Sequence, residues 1–276
     1  MGMNKHTFGG EMYKKLKLPS LGQHEIKTGL RGKKDASSME VLGKYLRDIF
    51  KLNKRERNFR VMCPDEIESN KMDAIFEETP RAYMWPLKKH DVPFSEHGRA
   101  MEILSEHTLQ GWLQGYLLTG RHGLFATYEA FAMIVASMVD QFAKFIKQSL
   151  RVKWRTPIAS LNYILTSVGW RQDHNGYSHQ NPSFISNVLE KHGQFCSVYL
   201  PADANSLLAV AEDCMKRTNS INIIAAGKQE LPQWLSLKEA REQVKVGLGV
   251  WKWINPQHAK NPDVVLVGAG DHMTVE

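Results

Sequence analysis

The sequence predicts an α/β fold, three layers deep (α/β/α), built on a mainly parallel sheet. Two observations carry this. From Ile158 onward, short β-prone apolar runs alternate with polar or Gly-rich turns and amphipathic helical stretches, the pattern of strands joined by crossover helices. The polar clusters at Pro64-Asp65-Glu66, Arg171 to Gln180, Pro201-Ala202-Asp203 and Gly227-Lys228-Gln229 each follow a predicted strand. In a parallel sheet those strand ends share one edge, where such folds bind ligands. At 276 residues and 42% hydrophobic content the chain can bury a core of this size.

In chain order, residues 1 to about 35 are irregular, with Gly9-Gly10, Leu18-Pro19-Ser20 and a Lys/Gly-rich segment. Ser37 or Ser38 then caps a helix with Val41, Leu42, Tyr45, Leu46, Ile49 and Phe50 at helical spacing. Asn58 to Cys63 is a strand, ended by Pro64, and Ser69-Asn70 starts another helix. Pro80, Pro86, Pro93 and Gly98 make residues 77–98 a long loop. A helix runs from Leu104 to about Leu118, with Gly111 and Gly115 on one face for close packing. Leu124 to Thr127 is a short strand or turn, and a long helix follows from about Tyr128 to Leu150.

Ile158 to Ser167 is the next strand, leading into a loop dense in Arg, Gln, Asp, His and Asn. Asn181-Pro182 opens a helix to about His192-Gly193. Phe195 to Leu200 is a strand, Asp203 caps a helix through Met215, and Ile221 to Ala226 is a strand. A helix covers Ser236 to Val246, and Val264 to Val267 is a last strand.

The formal net charge of +7 raises nucleic-acid binding, but the excess gathers near the N-terminus (Lys14, Lys15, Lys17, Lys27, Arg31, Lys33, Lys34) without interleaved aromatics or a recognition motif. A basic cleft for a phosphorylated small substrate also fits. Cys63, Cys196 and Cys214 are too few and too far apart for a disulfide framework or a cysteine zinc site, and read as buried thiols. No secretory signal and no membrane-spanning apolar run is present, which points to the cytoplasm.

Several residues could carry chemistry. Glu106 opens a helix between apolar neighbours. It is either a carboxylate interacting with the helix dipole or a partly buried acid/base. His122, His174 and His179 match no metal-ligand spacing and suit hydrogen bonding and proton transfer. Tyr128 and Phe131 share a helical face, as core residues commonly do. No Gly-x-Gly-x-x-Gly or P-loop occurs.

The combination of Ser167-Val168-Gly169-Trp170-Arg171-Gln172-Asp173-His174-Asn175-Gly176-Tyr177-Ser178-His179-Gln180 with Leu104-Ser105-Glu106-His107, Thr119-Gly120-Arg121-His122-Gly123 and Ala225-Ala226-Gly227-Lys228-Gln229 resembles the phosphoketolases over nearly the whole chain. These are thiamine diphosphate enzymes. Gly176-Tyr177-Ser178-His179-Gln180-Asn181 is a more distant echo of the transketolase Gly-Pro-Thr-His-Gln-Pro, and the Trp-Arg-Gln-Asp-His-Asn form favours phosphoketolase.

The resemblance implies the pyrimidine-binding domain of such an enzyme at residues 36–250. Residues 1–35 would then be the tail of a missing diphosphate-binding domain, and 251–276 a linker and the first strand of a truncated C-terminal domain. It implies cleavage of xylulose 5-phosphate or fructose 6-phosphate with inorganic phosphate, giving acetyl phosphate and glyceraldehyde 3-phosphate or erythrose 4-phosphate. Glu106 matches the glutamate that contacts the aminopyrimidine ring, Phe131 the aromatic that stacks on it, and Tyr128 the same wall. His174, Asn175 and His179 match substrate-facing positions with Gln172 nearby. Ser69 and Lys228 match positions near the sugar phosphate. Proton transfer is expected from His174, His179 and Tyr128.

The family's Gly-Asp-Gly…Asn motif for diphosphate and magnesium is absent; Gly268-Ala269-Gly270-Asp271 is not that motif. The fragment is therefore expected to be inactive alone, with the cofactor site shared between subunits of a homodimer or larger homo-oligomer. A transketolase-type transferase, a non-catalytic assembly domain and a nucleic-acid-binding module are the competing readings.

Overall fold

In the computed structural model, residues 13–91, 94–167, 176–190, 195–254 and 262–276 are described. Strand β1 (Asp35–Ser37) runs directly into helix α1 (Ser38–Leu52). The cap is Ser37, whose hydroxyl accepts the Glu40 amide, one of the four amides a helix start leaves without partners. β2 (Phe59–Cys63) follows, then β3 (Arg81–Ala82), β4 (Phe94–Ser95) and β5 (Ala100–Glu102). Next come α2 (Glu106–Leu118), β6 (His122–Thr127), α3 (Glu129–Ala132), α4 (Ala136–Ser149) and β7 (Leu161–Leu165). The chain continues through α5 (Ser183–Leu189), β8 (Cys196–Tyr199), α6 (Ala204–Lys216), β9 (Ile221–Ala225), β10 (Glu230–Pro232), α7 (Leu237–Val246) and α8 (Asp271–Val275).

Eight strands form one sheet in the order β4-β3-β5-β2-β6-β7-β9-β8, and every neighbouring pair is parallel. The central strands are buried on both faces, and their side chains alternate between two cores. Val61, Leu124, Ala126, Ile164 and Ile224 pack with α1 and α6, whereas Met62, Phe125, Tyr163, Leu165 and Ile223 pack with α2, α4 and α5. This is the predicted α/β/α arrangement. A separate antiparallel pair, β1 with β10, ties the start of α1 to the chain beyond β9.

Several local expectations are corrected. Ser69-Asn70 starts no helix: both side chains turn back to the Glu66 carbonyl, at 2.9 and 2.6 Å, and a 3-10 turn forms later at Asp73–Glu77. The proline-punctuated stretch 77–98 contains β3 and β4, each two residues long, with β4 at the sheet edge; strands this short leave room for proline between them. Leu104 lies outside α2 and is 91% exposed; Ser105 caps that helix by accepting the Thr108 amide.

The predicted helix from Tyr128 to Leu150 is broken by a 3-10 turn at Met133–Val135, where the β-branched pair Ile134-Val135 sits. Gly111 faces the Met138 methyl, but a Cβ on Gly115 would meet nothing within 4 Å, so the close approach expected of both glycines is not made. Val264 to Val267 forms no strand among the described residues and is 66–93% exposed. Cys63 and Cys214 are buried, whereas Cys196 is half-buried. Among the described residues no helix is long and apolar enough to cross a membrane.

Candidate active site

Because all eight strands run the same way, the residues after β2, β5, β6, β7 and β9 emerge on one edge. After β2, the turn that folds back on the Glu66 carbonyl presents Ser69. Its neighbour Asn70 is fully buried and accepts a hydrogen bond from the Thr166 hydroxyl, just past β7. The loops after β2 and β7 are thereby locked together from beneath.

Tyr128 follows β6 directly and is 3% exposed. Lys228, after β9, is 6% exposed. Its ammonium donates to the Tyr128 hydroxyl at 3.2 Å and to the Ser69 carbonyl at 3.0 Å. The Tyr128 hydroxyl lies 3.0 Å from Ser69 Oγ. Lys228, Tyr128 and Ser69 are thereby joined in one hydrogen-bonded chain. The Lys228 carbonyl is itself held by the Ser37 hydroxyl at 2.9 Å, so the residue that caps α1 also fixes this loop.

Burial governs the proton affinities here. It pushes the Tyr128 phenol up to about 12, keeping the hydroxyl protonated at neutral pH. Burial also lowers the Lys228 ammonium, with the Asp65 carboxylate partly offsetting the drop. Asp65 raises Tyr128 further.

Beside this chain stands an aromatic wall. The His179 ring meets Tyr128 edge-on at 5.0 Å and Phe131 at 5.2 Å between centroids, and Tyr128 and Phe131 are 6.3 Å apart. His179 closes the 3-10 turn Gly176–His179, and its Nδ1 is 2.7 Å from Ser178 Oγ. Its carbonyl accepts from the Ser167 hydroxyl at 2.6 Å, and that hydroxyl oxygen accepts the Glu129 amide at 3.1 Å. The Glu129 carboxylate, almost fully buried, accepts the Asn181 amide at 3.0 Å. The C-terminal end of the His179 turn is thus clamped to the ends of β6 and β7. Burial raises the Glu129 carboxyl, with the Asn181 amide pulling the other way.

Glu106 is half-buried in the first turn of α2. β5 is parallel to β2, so the start of α2 lies on the same edge as the cluster. One turn on, buried Gln110 accepts from the Tyr163 hydroxyl at 2.6 Å and anchors the helix to β7.

Of the site residues predicted from sequence, the structure brings together Ser69, Tyr128, Phe131, His179 and Lys228, and places Glu106 on their edge. Gln172, His174 and Asn175 lie outside the described residues. Asp203 takes no part: its carboxylate caps α6 and accepts the Trp234 and Leu235 amides. Sequence reasoning missed Glu129, Thr166 and the clamp role of Ser167. Glu129 hid beside a predicted core aromatic, and Thr166 and Ser167 read as the end of a strand. Among the described residues no group of three or more His, Cys, Asp or Glu side chains could hold a metal ion.

Residues 40–217 match the family model for D-xylulose 5-phosphate/D-fructose 6-phosphate phosphoketolase, and residues 228–276 match its C-terminal domain model. The chain belongs to the phosphoketolase family. It is 50% identical over 277 aligned residues to a probable phosphoketolase of Bradyrhizobium diazoefficiens, and 47% identical over 276 to one of Nitrosomonas europaea. Each alignment covers 100% of this chain and 35% of the relative, so the chain spans about a third of the length of these phosphoketolases. Among solved structures it is similar to Pichia stipitis transketolase variants. An R356L variant in complex with fructose 6-phosphate superposes with a TM-score of 0.58 at 17% identity, covering 84% of this chain and 31% of that one. An R525L variant gives 0.59, also at 17% identity. At that identity the likeness is one of fold.

Proposed function

We propose that this chain is the pyrimidine-binding part of a thiamine diphosphate-dependent phosphoketolase. The whole enzyme would cleave xylulose 5-phosphate or fructose 6-phosphate with inorganic phosphate to acetyl phosphate and the shortened aldose phosphate. The observation that carries the reading is the convergence, on one sheet edge, of the Lys228–Tyr128–Ser69 chain with the Tyr128–Phe131–His179 wall.

The donor set fits an aminopyrimidine: Phe131 and Tyr128 offer aromatic faces and Glu106 a half-buried carboxyl group at the start of α2. When bound, thiamine diphosphate supplies the nucleophilic carbon that cleaves the ketose and carries the two-carbon unit. Glu106 holds a proton at the ring nitrogen. His179 and Tyr128, with His174, donate protons where the substrate loses its hydroxyl. Lys228 sits behind Tyr128 as donor and, with Ser69, offers a cation and a hydroxyl to the sugar phosphate. Gln172 and Asn175 complete the substrate contacts.

The domain division extends the reading: 36–250 as the pyrimidine-binding domain, flanked by 1–35 and 251–276. The sequence has no Gly-Asp-Gly motif, so diphosphate and Mg2+ would be held by residues outside these 276, in a homodimer or larger homo-oligomer, and the isolated chain would be inactive. The cytoplasm, where sugar phosphates meet inorganic phosphate, suits such a reaction.

The test is product analysis with the complete enzyme that contains this sequence. Fructose 6-phosphate and phosphate should yield acetyl phosphate, detected as its hydroxamate. Two-carbon transfer to an added aldose phosphate, with no acetyl phosphate, would instead assign a transketolase-type reaction. Neither product would leave an assembly role.

A further inference from the structure

α8 docks on the loop that carries Lys228. Asp271, its first residue, is 2% exposed, and both its carboxylate oxygens are committed to backbone amides. Oδ2 accepts the Gly227 N–H at 2.7 Å and Oδ1 accepts the His272 N–H at 2.8 Å. The approach is made possible by two glycines. Gly270 has φ 89° and ψ 172°, a backbone state that side chains disfavour, and it swings Asp271 inward. The Thr274 hydroxyl fixes that turn by donating to the Gly270 carbonyl at 2.6 Å. At the receiving end, a Cβ on Gly227 would lie 3.0 Å from both Asp271 Oδ2 and His272 Nε2. The surfaces are fitted to each other, and Gly227 is the residue immediately before Lys228.

We propose that Asp271 is a positioning residue for Lys228: by accepting the Gly227 amide it sets the backbone from which the Lys228 ammonium reaches Tyr128 and Ser69. The C-terminal segment thereby completes the candidate site without touching substrate. Asp271 acts as a hydrogen-bond acceptor on the backbone through both oxygens, so an uncharged amide of the same shape keeps one of the two bonds and an apolar isostere keeps neither. This assignment rests on the proposed function only for its consequence, namely that Lys228 serves sugar-phosphate binding.

The experiment is competitive acetylation of the 276-residue chain with limiting acetic anhydride, read residue by residue by mass spectrometry, with exposed Lys216 as internal reference. Lys228 is buried and doubly bonded, so it reacts slowly in the unaltered chain. Asp271→Val should raise its rate relative to Lys216 by about tenfold, the scale of losing one buried hydrogen bond. Asp271→Asn, which can turn its single oxygen to the Gly227 amide only by giving up the His272 one, should raise the rate by less than Asp271→Val does. Gly227→Ala, which pushes on the same contact from the other side, should raise the rate as Asp271→Val does and replaces that variant if it does not fold. An unchanged Lys228 rate in the folded variants, or equal effects of Asn and Val, would overturn the proposal. A separate arm isolates the functional reading. In the complete enzyme, Lys228→Met should raise KM for fructose 6-phosphate more than it lowers kcat. If KM is unchanged while the acetylation result holds, the positioning stands and the sugar-phosphate reading fails.

Discussion

The Lys228 ammonium donates to the Tyr128 hydroxyl at 3.2 Å and also lies over the Tyr128 ring, 4.6 Å from its centroid. One phenol therefore holds a buried cation by both its oxygen and its π-face. Tyr128→Phe keeps the ring and removes the oxygen, which leaves Lys228 an acceptor short and Ser69 Oγ without its hydroxyl partner. The expected cost is about 1–3 kcal/mol, read as a lower urea midpoint. In the complete enzyme turnover should fall by about 10²-fold. A midpoint unchanged from the parent would show that the contact contributes nothing.

Ser167 ties the His179 carbonyl to the Glu129 amide. Ser167→Ala leaves both without that partner and should cost about 1–2 kcal/mol, since the hydroxyl is fully buried. The His179 turn should then show faster amide exchange, while amides in β8 keep their protection.

Glu129 gives a pH-dependent prediction. Its carboxyl is raised by burial, so its contribution to stability is full below the ordinary value of 4.5 and is lost as pH rises through the folded value. Glu129→Gln keeps an acceptor for the Asn181 amide without a buried charge. It should match the parent in urea midpoint at pH 4 and exceed it at pH 7. The opposite trend would mean that the charge itself is needed.

Glu239 behaves in the other sense. Arg31 binds its carboxylate through both guanidinium nitrogens, at 2.7 and 3.1 Å, and with Ser236 holds its pKa down to about 2. Its stabilising effect is present above 4.5 and is lost as pH falls towards about 2. Arg31 also lies 4.8 Å over Trp253, which stacks on Trp234 and Trp251. Acidification through that window should therefore change the near-ultraviolet tryptophan circular dichroism. Glu239→Gln should remove that change.

The sequence carried the sheet's direction and the shared edge because parallel strands, buried on both faces, read as apolar runs such as Ile221 to Ala225. It carried Asp203 as a cap, and Ser37 as one of two candidates with Ser38, because a cap is a local event. The site residues Ser69, Tyr128, Phe131, His179 and Lys228 were legible only through the family resemblance, since composition fits turns and core packing equally well. What stayed hidden was non-local. β3 and β4 owe their existence to sheet partners, and Asp271 meets Gly227 across 44 positions of sequence. Val264 to Val267 shows the converse: a strand-like run that finds no partner strand among the described residues.

The central claim is that the edge carrying Ser69, Tyr128, Phe131, His179 and Lys228 is the cofactor-facing side of a phosphoketolase, with Glu106 as its acid. The most direct measurement is the rate of acetyl phosphate formation from fructose 6-phosphate and phosphate by the complete enzyme and by its Glu106→Gln variant, at saturating thiamine diphosphate. The parent should form acetyl phosphate, and the variant should be slower by about 10²–10⁴-fold, the usual worth of a positioned acid/base group. A Glu106→Gln enzyme that turns over at the parental rate would contradict the account.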